Sequence, residues 1–330
     1  MLAKQTVCGQ ARDMDPEIAE RVPRAAPATV PARSRKRTRI ALARSVLRQV
    51  RAHPANAAAP NRAALRACLW QVRKRLTRRP IRRRAYGLDL RFPPGSGSLS
   101  NLVYFGECFE WDNINFLRCY LRPGDRVVDA GANVGMFTYA AAEAVAPDGR
   151  VEVFEPLAWA AEAITANVEH NALGPRVTVH SIAVADRAGT VKFASDLDVS
   201  SHIEFVAGAS FNKMSTEVRT DTLDATLPPG PIALAKIDVE GAELLALQGF
   251  REHLGAGNPP VVMIEAHNGT LQKMGSSRAE VLALLSDLGY EMHLFEVATS
   301  RLIPVPERSN EDVFAVRTTD LPMVLERLAG

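Results

Sequence analysis

Residues 127–137 read VVDAGANVGMF. Val127 and Val128 lead into Asp129, and Gly131, Ala132, Asn133, Val134 and Gly135 follow as a turn of mostly small residues. The spacing predicts a strand, Arg126–Ala130, feeding a helix, Val134–Ala146. Such a turn lets a ligand approach the backbone, and the start of the helix offers N–H groups to an anion. Two nucleotide-binding readings fail on the residues themselves. A dinucleotide fingerprint needs glycine at the middle position, where Asn133 stands, and a triphosphate loop needs a lysine, which 123–150 lacks. What remains is D-x-G-x-N-x-G, with Glu155 following 24 residues after Gly131. An acid at the end of the next strand is placed to hold two ribose hydroxyls.

Outward from this turn the pattern alternates. Strands are expected at Val151–Glu155, Arg176–Val184, Ile232–Asp238, Val261–His267, Tyr290–Glu296 and Glu311–Arg317. Shorter extended pieces are expected at Thr190–Ala194 and Ser215–Thr220. Helices are expected at Ala158–Asn171, Ala242–Leu254 and Arg278–Leu288. Such alternation over nearly 200 residues means an α/β fold with a mostly parallel sheet and helices on both faces. Ligands then sit outside the carboxyl ends of the strands.

Charge divides the 330-residue chain. Residues 1–95 carry 23 Lys and Arg against 5 acids, while the remaining 235 carry 17 against 32. A basic arm precedes an acidic body. Residues 1–35 read as disordered, and amphipathic helices are expected near Arg37–Arg51 and Arg62–Leu76. The arm is placed at 1–84 and the main domain at 85–330. Cys8, Cys68, Cys108 and Cys119 form no C-x-x-C pair, which fits a reducing compartment and no zinc site. No apolar run approaches the length of a membrane span, and no signal-peptide h-region is present, so a cytoplasmic location is expected. Residues 21–84 hold no acid, as in a transit segment, but Asp13, Asp15, Glu17 and Glu20 argue against that reading.

Further motifs are LAKIDVEGAELLALQGF at 234–250, LDATL at 223–227, NVEHNAL at 167–173, and VMIEAH at 262–267. Together with RPGDRVVDAGANVGMFT at 122–138 and GRVEVFEP at 149–156, they make residues 100–317 resemble the FkbM family of methyltransferases. The resemblance implies a class I, Rossmann-like, doubly wound methyltransferase with a seven-stranded, mostly parallel sheet. It implies S-adenosylmethionine as cofactor and transfer to hydroxyls of saccharides, glycolipids or small metabolites. The expected cofactor set is Asp129, Gly131, Ala132, Asn133, Gly135, Glu155, Pro156, Ala183 and Asp238.

An alcohol acceptor needs a general base. Asp238 and Glu240 point the same way if the strand continues, and Glu265 and His267 share one face of the next strand. Both pairs are candidates. Glu243 is a further candidate, with a second reading as partner of a helix N-terminus. Carboxylates such as Asp238, Glu240 and Glu265 suit a hard metal, yet no spacing is metal-specific, so none is expected. In YFGECFEWDN at 104–113, Tyr104, Phe105 and Glu110 are candidates for gripping the acceptor.

The basic arm leaves three readings: a solvated extension, peripheral attachment to an anionic membrane, or nucleic-acid binding. The last is disfavoured because the acidic body repels a phosphate backbone. A nucleic-acid methyltransferase is disfavoured too, since Asp238-Val-Glu-Gly stands where amine-methylating enzymes carry N-P-P-[YF]. The oligomeric state is not legible.

Overall fold

A computed structural model describes residues 39–76, 80–92, 97–108, 110–194, 202–203, 215–306, 309 and 312–330. The expectation of disorder for 1–35 lies outside the described residues. Helices α1 (Arg39–Ala52) and α2 (Pro60–Leu76) come first, then the hairpin β1 (Ile81–Ala85) and β2 (Leu88–Phe92), then α3 (Gly97–Phe105) and α4 (Trp111–Tyr120). The α/β body follows: β3 (Arg126–Ala130), α5 (Met136–Ala144), β4 (Arg150–Phe154), α6 (Ala158–His170) and β5 (Val177–His180). Four short strands, β6 (Ala183–Val184), β7 (Gly189–Ala194), β8 (His202–Ile203) and β9 (Ser215–Asp221), precede α7 (Leu223–Thr226) and β10 (Leu234–Ile237). Next come α8 (Glu243–Gln248), α9 (Arg251–Gly255), β11 (Val261–Ile264), α10 (Asn268–Leu271) and α11 (Arg278–Asp287). The last elements are β12 (Tyr290–Glu296), β13 (Arg301–Pro304), β14 (Val313–Arg317) and α12 (Leu321–Ala329).

The main sheet runs β13-β12-β14-β11-β10-β3-β4-β5. Its five strands from β11 to β5 are parallel, and β12, β13 and β14 are antiparallel. The sheet has eight strands, one more than the seven expected, because Arg301–Pro304 pairs on the outer edge of β12. Alternating side chains feed two cores. Val127, Val151, Val153, Leu234 and Val261 pack under α4, α5 and α6. Val128, Ala130, Ala235, Ile237 and Val262 pack under α8, α9 and α11. With both faces covered, the sheet is doubly wound.

Three expectations need correction. The strand expected at Arg176–Val184 breaks after His180, and Ala183–Val184 joins a separate sheet beside β9. The helix expected at Ala242–Leu254 is interrupted at Gly249, where a Cβ would lie 2.0 Å from the Ala185 carbonyl oxygen. The boundary expected at residue 85 falls inside the β1–β2 hairpin, where Ile81 pairs with Phe92. Val50, Ala63, Ala67, Trp70 and Ile81 are buried in the same core as β3. Trp70 Nε1 donates to Ser100 Oγ at 3.0 Å, Arg66 Nε to the Val103 carbonyl at 2.7 Å, and Asn56 Nδ2 to the Tyr104 carbonyl at 2.8 Å. Among the described residues, no helix is long and apolar enough to cross a membrane.

Candidate active site

The carboxyl ends of β3, β4 and β10 meet around one cavity of about 190 Å³. The turn after β3 is shaped by three left-handed residues, Gly131 (φ +87°), Asn133 (φ +53°) and Gly135 (φ +82°). At Gly131 a Cβ would lie 1.8 Å from the Asp238 carbonyl oxygen, so only glycine lets the turns after β3 and β10 touch. Glu155 fastens this turn from the next strand. Its Oε2 accepts from Asn133 N at 2.7 Å and its Oε1 from Leu157 N at 2.8 Å. Burial pushes its carboxyl up to about 7. Each oxygen keeps a further lone pair for a ligand hydroxyl.

Strand register sets the next contacts. Lys236 stands opposite Asp129 on the neighbouring strand. Asp129 is fully buried, and burial raises its pKa. Thr138 Oγ1 donates to its Oδ2 at 2.5 Å, while its Oδ1 is buried without a hydrogen-bond partner. Lys236 Nζ lies 2.5 Å from Asp238 Oδ2, 3.7 Å from Glu110 Oε2 and 5.5 Å from the Phe137 ring centroid. Burial alone would lower the lysine pKa, but Asp238, Glu110 and Asp129 outweigh it and hold the ammonium charged. Sequence reasoning left Lys236 out of the candidates, although one cation in the buried run LAKI was the available signal.

A ring of polar contacts continues outward. Burial works against ionised Asp238, yet Lys236 and a hydrogen bond from Glu265 hold its pKa low. Glu265 goes the other way, raised by burial and then by the Asp238 charge, so it keeps the proton the two share. His267 Nδ1 lies 2.7 Å from Glu265 Oε1, and its Nε2 lies 3.6 Å from Asp312 Oδ1. Asn113 Nδ2 donates to Asp312 Oδ2 at 3.0 Å and to Glu110 Oε2 at 3.2 Å, which closes the ring. Glu265, His267 and Asp312 each present one potential metal-ligand atom, all within 4.8 Å of one another. Asn113 and Asp312 were not legible as partners, because they stand 199 residues apart in the chain.

Two acids depart from their expected geometry. β10 ends at Ile237, and Glu240 adopts φ +55°, so its side chain does not follow Asp238 along an extended strand. It lines the cavity nonetheless, and burial followed by the Asp238 and Glu243 charges pushes it up to about 7. Glu243 does not line the cavity. It is buried under the turn, where its Oε1 accepts from Gly241 N at 2.9 Å and Val239 N at 3.1 Å. These bonds tie the start of α8 to the turn after β10, the second reading of this residue as partner of a helix start.

Of the expected cofactor set, Asp129, Gly131, Ala132, Asn133, Glu155, Pro156, Ala183 and Asp238 line the cavity, and Gly135 caps the start of α5. Phe154, Leu157, Ile182 and Val184 add an apolar wall suited to a flat base. Glu265 and His267 are not on the lining; Glu265 bonds to Asp238, and His267 to Glu265. Glu110 lines the cavity with Asn101, a residue the sequence did not single out. Tyr104 and Phe105 are absent from the lining, contrary to expectation. The Tyr104 hydroxyl accepts from Gln71, and Phe105 stacks on His53 with centroids 4.5 Å apart. S-Adenosylmethionine fits these residues. The unpartnered Asp129 oxygen suits its ammonium, Glu155 its ribose, the apolar wall its adenine, and the surrounding carboxylates its sulfonium.

The model of the Methyltransferase FkbM domain matches residues 129–292. The 31-O-demethyl-FK506 methyltransferase FkbM of Streptomyces tacrolimicus is 31% identical over 242 residues, covering 61% of this chain and 88% of that protein. Among solved structures, methyltransferase FkbM from Methylobacillus flagellatus aligns at 15% identity and a TM-score of 0.39, over 66% of this chain and 53% of its own. This chain therefore spans about half of that structure's length. Aeropyrum pernix fibrillarin, solved with S-adenosyl-L-methionine, aligns at 14% identity and a TM-score of 0.34, over 59% of this chain and 67% of its own.

Proposed function

The chain belongs to the FkbM family of methyltransferases and depends on S-adenosylmethionine, and on that premise we propose that it methylates a hydroxyl oxygen of a small-molecule acceptor. The acceptor class is a saccharide, a glycolipid or a related metabolite. The observation that carries this reading is Glu240, a carboxylate on the cavity wall whose pKa of about 7 suits a base at neutral pH. The relative from Streptomyces tacrolimicus, named for an O-demethyl substrate, supports oxygen as the acceptor atom.

S-Adenosylmethionine supplies an activated methyl group, so the protein's work is to position, exclude water and take a proton. Glu155 would hold the ribose and Asp129 the ammonium. Asp238, kept ionised by Lys236, would stabilise the positive charge of the bound cofactor. Glu110 and Asn101 line the same cavity and orient the acceptor. Glu240 accepts the hydroxyl proton as the oxygen attacks. The base must be deprotonated to act, so turnover rises with pH through about 7 and levels off above it.

Three measurements test this. Calorimetry with S-adenosylhomocysteine should show binding that Asp129→Ala or Glu155→Ala weakens about tenfold, as expected for lost hydrogen bonds to charged groups. Methyl label from the cofactor should enter the saccharide or lipid fraction of a cell extract. Glu240→Gln should retain S-adenosylhomocysteine binding and lose about 10²- to 10⁴-fold in turnover. A Glu240→Gln enzyme with normal turnover places the base elsewhere, and label confined to nucleic acid or protein overturns the acceptor class.

A further inference from the structure

The described residues expose six large apolar side chains, and four of them share one helix. Leu65, Leu69, Val72 and Leu76 on α2 are 59%, 62%, 57% and 79% exposed. Their spacing of four, three and four residues puts them in a single narrow stripe along the helix. The opposite side of α2 is already engaged, with Ala63, Ala67 and Trp70 buried in the core. The stripe is therefore not a misplaced core face. It is a second apolar face, turned to solvent.

Its surroundings say what covers it. Arg62 and Arg73 lie along one edge of it and are exposed, and no acid occurs anywhere in residues 21–84. An apolar line bordered by arginines on an acid-free segment matches a helix lying in the plane of an anionic bilayer. The leucines enter the headgroup boundary and the arginines meet lipid phosphates. A second copy in a twofold pairing would set these arginines against each other with no local acid to neutralise them. Nucleic acid would use the arginines and leave the apolar stripe wet. The geometry points to α2 as a docking face for an anionic lipid surface.

This inference stands apart from the choice of general base and of acceptor oxygen. On its buried face α2 is tied to α3, where Trp70 donates to Ser100 at 3.0 Å and the next residue, Asn101, lines the cavity.

The full chain is to be sedimented with vesicles of phosphatidylcholine alone and of phosphatidylcholine with phosphatidylglycerol. Binding is expected to the anionic vesicles and to weaken with salt. Leu69→Glu/Leu76→Glu should reduce it about tenfold or more, because charge replaces the inserted groups. Arg62→Gln/Arg73→Gln should reduce it less. All variants should bind S-adenosylhomocysteine as the wild type does, which separates docking from folding and from cofactor binding. Three results overturn the proposal: no binding to anionic vesicles, equal binding to neutral ones, or a double leucine variant that binds like wild type. A wild-type dimer that the leucine variant converts to monomer, without vesicle binding, overturns it in favour of self-association.

Discussion

Lys236 faces three carboxylates, Asp238, Glu110 and Asp129, from a position 6% exposed. Its value is asymmetric. The pair with Asp238 offsets the desolvation of both groups, whereas removing the ammonium leaves acids buried without compensation. Breaking a buried pair from one side costs about 3–5 kcal/mol. Lys236→Met should lower stability in urea unfolding by that order, and adding Asp238→Asn should recover much of the loss. A Lys236→Met protein as stable as wild type would mean that the acids take up protons instead. The sequence displayed the acids of this site but not their pairing. Asp238, Glu240 and Glu265 are visible in KIDVEGAE and VMIEAH. That Lys236 stands opposite Asp129 depends on strand register, and that Asp312 reaches His267 depends on the antiparallel return of β14.

At the scale of elements, the ends of strands and helices were legible where hydrophobic periodicity met a turn residue. β3 and β12 fall where the pattern puts them. The breaks were not legible, since tertiary contacts make them. Gly249 ends α8 where the Ala185 carbonyl approaches, and nothing local marks that encounter. Asn167, in the NVEHNAL motif, shows what a distant contact adds. It is 1% exposed on α6 and accepts from Arg91 N at 2.7 Å, donates to the Arg91 carbonyl at 2.9 Å, and donates to the Tyr139 hydroxyl at 3.1 Å. Those bonds fasten β2 to α6. Asn167→Ala strands backbone groups of β2, at about 1–3 kcal/mol for each unsatisfied group. Hydrogen exchange should show the β1–β2 hairpin opening faster than the main sheet. Uniform exchange across both would mean that the hairpin is held by its apolar contacts alone.

At the scale of the molecule, the charge asymmetry set a basic arm at 1–84 apart from the main domain, and the core places a limit on that view. Val50, Ala63, Ala67 and Trp70 are buried with Leu99, Leu102 and Val103 of α3. α3 in turn carries Asn101 at the cavity. A chain beginning at residue 85 would lose β1, leave β2 unpaired and uncover the α3 face against which α2 packs. Fully burying one Val- or Leu-sized side chain is worth roughly 1.5–3 kcal/mol, so losing several such contacts exceeds the margin of a typical domain. The shortened chain should therefore lose its cooperative thermal transition and its S-adenosylhomocysteine binding together, as read by circular dichroism and calorimetry. Leu69→Glu/Leu76→Glu, which alters only the exposed stripe, should keep both. If the shortened chain melts cooperatively and binds the ligand, the segment before residue 85 is an appendage after all. If it fails while the stripe variant succeeds, α2 serves the fold with its buried face and leaves its exposed face for another surface.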